Sequence, residues 1–150
     1  MRLIDSHCHL NDGKFKDDLD EVITRSEESG IMAMICVGTD LKSSEHAIDI
    51  ADKYESVFAT CGVHPHEAEK TEVDYLKHLE AFSTHEKVVA IGEIGIDNYR
   101  NHSPQDVQKK VMIEQMDLAY KLNLPIVFHN RDVDNEIFDI LKNNPFHKAL

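Results

Sequence analysis

No apolar run in the 150 residues approaches the roughly 20 that a membrane-crossing helix needs, so no spanning segment is expected. The start, Met-Arg leading straight into a strand-like run, carries no signal-peptide pattern, and a cytoplasmic location is expected. Cysteine is sparse. The three residues Cys8, Cys36 and Cys61 are odd in number and fit no zinc-finger spacing, which makes buried, reduced thiols the expectation. Basic charge is also short: 16 Lys and Arg against 28 Asp and Glu leave a net charge of −12. That excludes loose binding of nucleic acid through a basic surface. It leaves open a phosphate-bearing substrate held through bound divalent cations. Linkers and low-complexity segments are missing too, so residues 1–150 are expected to form one domain.

What is present is a globular composition, 41% hydrophobic and 29% charged, with ten histidines. Apolar runs rich in Val and Ile predict strands at Leu3–His9, Met32–Gly38, Val57–His64, Val88–Ile94 and Pro125–His129. Helical patterns lie between them. Asp17–Ser29 carries Leu19, Val22 and Ile23 and stops at Gly30. Ser43 or Ser44 is expected to cap the next helix and Thr71 the third. Ser103-Pro104 reads as an N-cap followed by proline at the first helical position. The last helix, from about Val133, should be halted by Asn143-Asn144-Pro145. The result is five βα units of about 26–36 residues, which suit a doubly wound sheet or a (β/α)8 barrel.

The strand ends favour the barrel. His7 and His9 end the first strand, Thr39-Asp40 the second and His64-Pro65-His66-Glu67 the third. Glu93 and Asp97 end the fourth, and His129-Asn130-Arg131-Asp132 the fifth. In a barrel such ends form one ring, where active sites sit, whereas an open sheet would string them in a row. On a strand, residues two apart share a face, so His7 and His9 can converge on one ion. Glu93 would be costly to bury unpaired, and a cation removes that cost. His129 adds a third ligand type to the same rim.

The motifs Ile4-Asp5-Ser6-His7-Cys8-His9-Leu10, Gly62-Val63-His64-Pro65-His66 and Gly92-Glu93-Ile94-Gly95-Ile96-Asp97 resemble those of the TatD-type metal-dependent deoxyribonucleases. So do Ser103-Pro104 with Gln108 and Gln115, and Leu124-Pro125-Ile126-Val127-Phe128-His129-Asn130-Arg131. The resemblance implies an α/β (β/α)8 TIM-barrel hydrolase of the amidohydrolase superfamily, here its first five βα units. It implies two divalent cations (Mg, Mn or Zn), with His7 and His9 on one, Glu93 bridging as ligand and catalytic group, and His129 on the second. His64 and Arg131 match positions near the phosphates of a DNA substrate. Asn98 departs from the aromatic residue that often follows the aspartate.

The family's barrel continues through three more strands that supply another histidine and an aspartate, whereas this sequence stops at Leu150. His147, after Pro145, is expected at the surface and no substitute ligand. Little or no nuclease activity is therefore expected of these 150 residues alone, and self-association through the first and fifth strands as exposed edges. Two other readings stay open: a superfamily hydrolase of a small cyclic amide or ester, and a non-catalytic fragment or assembly partner.

Overall fold

The computed structural model describes residues 2–143. His147, and the Asn144-Pro145 stop, lie outside the described residues. Five strands, β1 (Leu3–Cys8), β2 (Ile31–Val37), β3 (Val57–Cys61), β4 (Val88–Asp97) and β5 (Ile126–Arg131), form one parallel sheet in the order β1-β2-β3-β4-β5. A doubly wound sheet reverses its strand order part-way. This sheet never does, and it is a curled half-barrel of TIM type, with a helix following each strand.

The helices are α1 (Leu19–Glu28), α2 (Leu41–Lys53), α3 (Tyr75–Phe82), α4 (Gln105–Leu122) and α5 (Asp134–Asn143). Each buries an apolar stripe against the sheet: Ile23 of α1, Ile50 of α2, Leu79 of α3 and Met112 and Met116 of α4 join Met34, Cys36, Ile91 and Ile126 of the strands in one core. Gly30, at φ 95°, ends α1 in the left-handed region that glycine enters without steric cost. None of the helices among the described residues is long and apolar enough to cross a membrane.

Three caps differ from expectation. Asp40, not Ser43 or Ser44, caps α2. Its carboxylate accepts from the Ser43 amide, and the Ser43 hydroxyl accepts from the Asp40 amide at 2.9 Å, a capping box read one turn too late in the sequence. Thr71 closes a 3-10 helix (Pro65–Lys70) rather than opening α3, which Asp74 precedes. Pro104, not Ser103, sits at the N-cap of α4. The Ser103 hydroxyl instead accepts from the Glu69 amide and donates to the His66 carbonyl, tying that 3-10 helix down.

Strand ends differ as well. β3 stops at Cys61, three residues short of His64, while β4 runs on to Asp97. β4 is buried almost throughout, but β1 is exposed along nearly its whole length, including Ile4 at 63%. Continuous apolar runs of this kind ordinarily mark strands covered on both faces, and β1, which has a single neighbour among the described residues, is not so covered.

Two buried glutamines on α4 set the strand ends. The Gln115 carbonyl accepts from the Val63 amide (2.7 Å) and its amide donates to the Val63 carbonyl (3.0 Å). Gln108 treats Asp97 in the same way, at 2.8 and 3.3 Å. Being seven residues apart, they lie on one helix face.

Candidate metal centre

Glu93 stands at the middle of the rim. Thr60 donates to the Gly92 carbonyl (2.6 Å) and the Glu93 amide donates to the Gly38 carbonyl (2.8 Å), which locks the backbone that presents the carboxylate. Its two oxygens face different ways. Oε2 lies 3.4 Å from Nε2 of His7, and Oε1 lies 3.0 Å from Nδ1 of His129. The ligand atoms of His7, His9 and Glu93 all lie within 4.8 Å of one another. These are N and O donors of the kind that take zinc-like or harder divalent ions, so the residues fit a cation.

Beyond Glu93 lies a histidine cluster. His64, His66 and His129 also have ligand atoms within 4.8 Å of one another. The His64 and His129 ring centres are 4.3 Å apart. The hydrogen bonds argue against a shared ion here. Nδ1 of His64 accepts from the His66 amide at 3.1 Å, so a neutral His64 carries its proton on Nε2 and offers a donor rather than a lone pair. His64, His66, Glu67 and Glu93, with His9 and Thr39, line a cavity of about 260 Å³.

Two residues beyond the sequence-level set belong to this site. Asp97, fully buried, accepts through Oδ2 from Nε2 of His66 (2.7 Å) and Nε2 of His129 (3.2 Å). Its Oδ1 accepts from the Tyr99 and Arg100 amides at 3.0 and 2.8 Å. The signal for His66 was available, since His64-x-His66 repeats the His7-x-His9 pattern. Arg131 goes elsewhere: its guanidinium stacks 4.2 Å over the exposed Tyr99 ring at the edge of the rim.

Charge follows this geometry. Burial alone would raise Glu93, but the His129 hydrogen bond and the nearby imidazoles bring it below the usual glutamate value. Burial is likewise overcome at Asp97, by the Arg100 amide and the two imidazoles, and its carboxyl lies well below the usual range. His129 is raised, chiefly by its hydrogen bond to Glu93. Burial, and then the neighbouring His129, pull His64 down to about 4 from 6.5.

The His64 shift has a measurable consequence for the metal-free chain. Between pH 6.5 and about 4 the unfolded chain binds a proton at His64 and the folded chain does not, so stability falls as pH drops through that window. The contribution is on the order of 3 kcal/mol at most. His129, raised when folded, works oppositely: its stabilisation is present below the unfolded value and lost as pH rises through the folded one. Urea midpoints measured from pH 7 to 4 should fall less steeply in His64→Asn than in the unaltered chain. Parallel curves would refute the assignment.

A family model described as TatD related DNase matches residues 4–149. The chain belongs to that family. Among TatD relatives, it is 41% identical over 141 residues to "Uncharacterized metal-dependent hydrolase YabD" of Bacillus subtilis (strain 168), covering 93% of this chain and 55% of that protein. It is 38% identical to "Deoxyribonuclease Tat-D" of Schizosaccharomyces pombe, over 86% of this chain and 45% of that one. Among solved structures, the TatD homologue YJJV of Escherichia coli K12 superposes with a TM-score of 0.88 at 29% identity, over 95% of this chain and 56% of that one. A TatD-family hydrolase from Entamoeba histolytica gives 0.87 at 29% identity, over 95% and 54%. The chain thus spans about half the length of the TatD relatives it matches. Those names describe metal-dependent hydrolases, deoxyribonucleases among them, and the candidate ligand groups of this chain accord with metal dependence.

Proposed function

We propose that this chain carries the first part of a two-cation centre that hydrolyses phosphodiester bonds of nucleic acid. The observation that carries the reading is the split of Glu93, one oxygen toward His7 and the other toward His129. In this reading His7, His9 and Glu93 would hold one divalent ion, and Glu93 and His129 would hold the other. Bound divalent ions supply Lewis acidity toward a phosphoryl oxygen and acidify water.

The chain's own groups do the rest. Glu93 is ionised and fixed by its backbone, so its charge is in place before any ligand arrives. His64 is neutral near pH 7, and Nε2–H is a donor for a phosphate oxygen at the cavity wall. Arg131, stacked on Tyr99, offers a fixed positive charge at the rim to the next phosphate along a strand. The cavity lining contains no Lys or Arg, so substrate charge is met there by imidazole donors and bound cations. The unpaired thiols Cys8, Cys36 and Cys61, each raised by burial to about 11 or 12, fit a reducing compartment such as the cytoplasm.

Metal-loaded chain should take up two divalent ions and should prefer single-stranded DNA over small amides and lactones, with His7→Ala abolishing the cleavage. Turnover should be weak with the 150 residues alone, because the resemblance puts further ligands in the part of the relatives that this chain does not span. Faster hydrolysis of an amide or lactone than of DNA would overturn the nuclease reading in favour of a small-molecule hydrolase.

We also expect these 150 residues to self-associate. β1 and β5 each have one neighbour among the described residues, and the open edges carry unpaired backbone groups beside exposed Leu3 and Ile4. Light scattering coupled to size exclusion should give at least twice the 17.1 kDa chain mass. A sharp monomer peak with cooperative unfolding would contradict this.

A further inference from the structure

We propose that Asp97 is a positioning residue for the second cation, holding the His129 ring so that Nδ1 faces Glu93. The inference rests on the two-cation reading above and adds to it a residue that makes no contact with either proposed ion.

The carboxylate is itself immobilised from three sides. It is fully buried at the end of β4. Its Oδ1 is held by the Tyr99 and Arg100 amides of the turn that follows. Its own peptide group is gripped at both N–H and C=O by Gln108 of α4. Only Oδ2 is left to act on side chains, and it faces Nε2 of His66 and Nε2 of His129.

A carboxylate accepts hydrogen bonds and cannot donate them, so the Nε2 of His129 that faces Asp97 carries a proton. In the neutral ring the lone pair is then on Nδ1, which lies 3.0 Å from Oε1 of Glu93. Without an ion, a doubly protonated ring donates from Nδ1 to that oxygen, and a bound ion would take the place of the Nδ1 proton. Asp97 thus retains the Nε2 proton, and a ring that gives up its Nδ1 proton to an ion is already turned to ligate through Nδ1 beside Glu93. The same oxygen takes the His66 imidazole, so the 3-10 helix after β3 and the end of β5 are oriented by one atom.

Asp97→Asn tests this. The carboxamide keeps an oxygen for the two turn amides but places an N–H2 against two imidazole N–H groups, which forces the rings to turn or change tautomer. Calorimetric titration of the metal-free chain with Mn2+ should show affinity for one ion reduced by about 10–100-fold, as for other outer partners of ligating histidines. The ion held by His7 and His9 should keep its affinity. A second measurement needs no variant. Nitrogen-15 imidazole spectra of the zinc-loaded unaltered chain should show His129 protonated on Nε2 and coordinated through Nδ1, a signature that general loosening of the fold would not produce. His129 protonated on Nδ1, or an Asp97→Asn chain that binds both ions with unchanged affinity, would overturn the assignment and leave the two-cation reading standing. Uptake of no ion by the unaltered chain would overturn both.

Discussion

Glu93→Gln should cost the chain both of its ions, whereas His7→Ala should cost it one. Glutamine keeps the size of the side chain, and the backbone bonds that fix residue 93 do not involve it. It loses the negative charge, and one of the two oxygens becomes an amide donor. Whichever way the amide turns, one of the two imidazole groups meets N–H2 in place of an anionic ligand. The loss should exceed the roughly 10–100-fold typical of removing an outer partner, because a ligand itself is altered. Metal content after dialysis against a few micromolar Mn2+ would separate the two variants. If Glu93→Gln retained one tightly bound ion, Glu93 would serve a single site and the bridging geometry would be wrong.

The largest effect on folding should come from Gly95→Ala. Gly95 pairs with His129 across the β4–β5 ladder, and a Cβ built on it would run into the His129 carbonyl oxygen. No rotamer relieves a contact with backbone. The φ of 155° adds strain for any residue with a side chain. Together these should cost about 3 kcal/mol or more, lowering the melting temperature by roughly 10 °C. The strand can yield only by pushing His129 away, so the variant should also lose the ion that His129 ligates. Gly13→Ala is the control, since a Cβ there meets nothing within 4 Å. Equal melting temperatures for the two variants would show that β4 and β5 separate more easily than their register implies.

The parallel βα alternation was legible because each strand is a dense apolar run and each helix an apolar stripe, and both patterns are local. The convergence of His7, His9 and Glu93 was legible because polar groups at strand ends have little reason to be there in such numbers. The caps were misread for a different reason. Asp40, Ser43 and Ser44 are all competent caps, and only the path of the chain out of β2 decides among them. Thr71 was misplaced because the 3-10 helix ahead of it is held by Ser103, 32 residues downstream of it in sequence. Asp97 escaped notice as a partner because its worth depends on His66 and His129, which lie on other elements and reach the same oxygen only in the folded sheet. The exposure of β1 was invisible, since an apolar run states what a strand wants to bury and not what is there to cover it.

Gln108 and Gln115 make a helix do the work of a strand. A glutamine side chain ends in the same C=O and N–H2 pair that a peptide unit presents, and each of the two closes a ring with one residue of the rim, as a neighbouring strand would. The bonds are to main chain alone, so the side chains at Val63 and Asp97 can be chosen for packing and chemistry without disturbing the grip. Because both glutamines belong to one rigid rod, the end of β3 and the end of β4 cannot drift independently, and the spacing between the His64 and Asp97 halves of the rim is a fixed length of α4. Opening the site would require pulling a whole 18-residue helix from the sheet, so the rim should come apart only when the domain does.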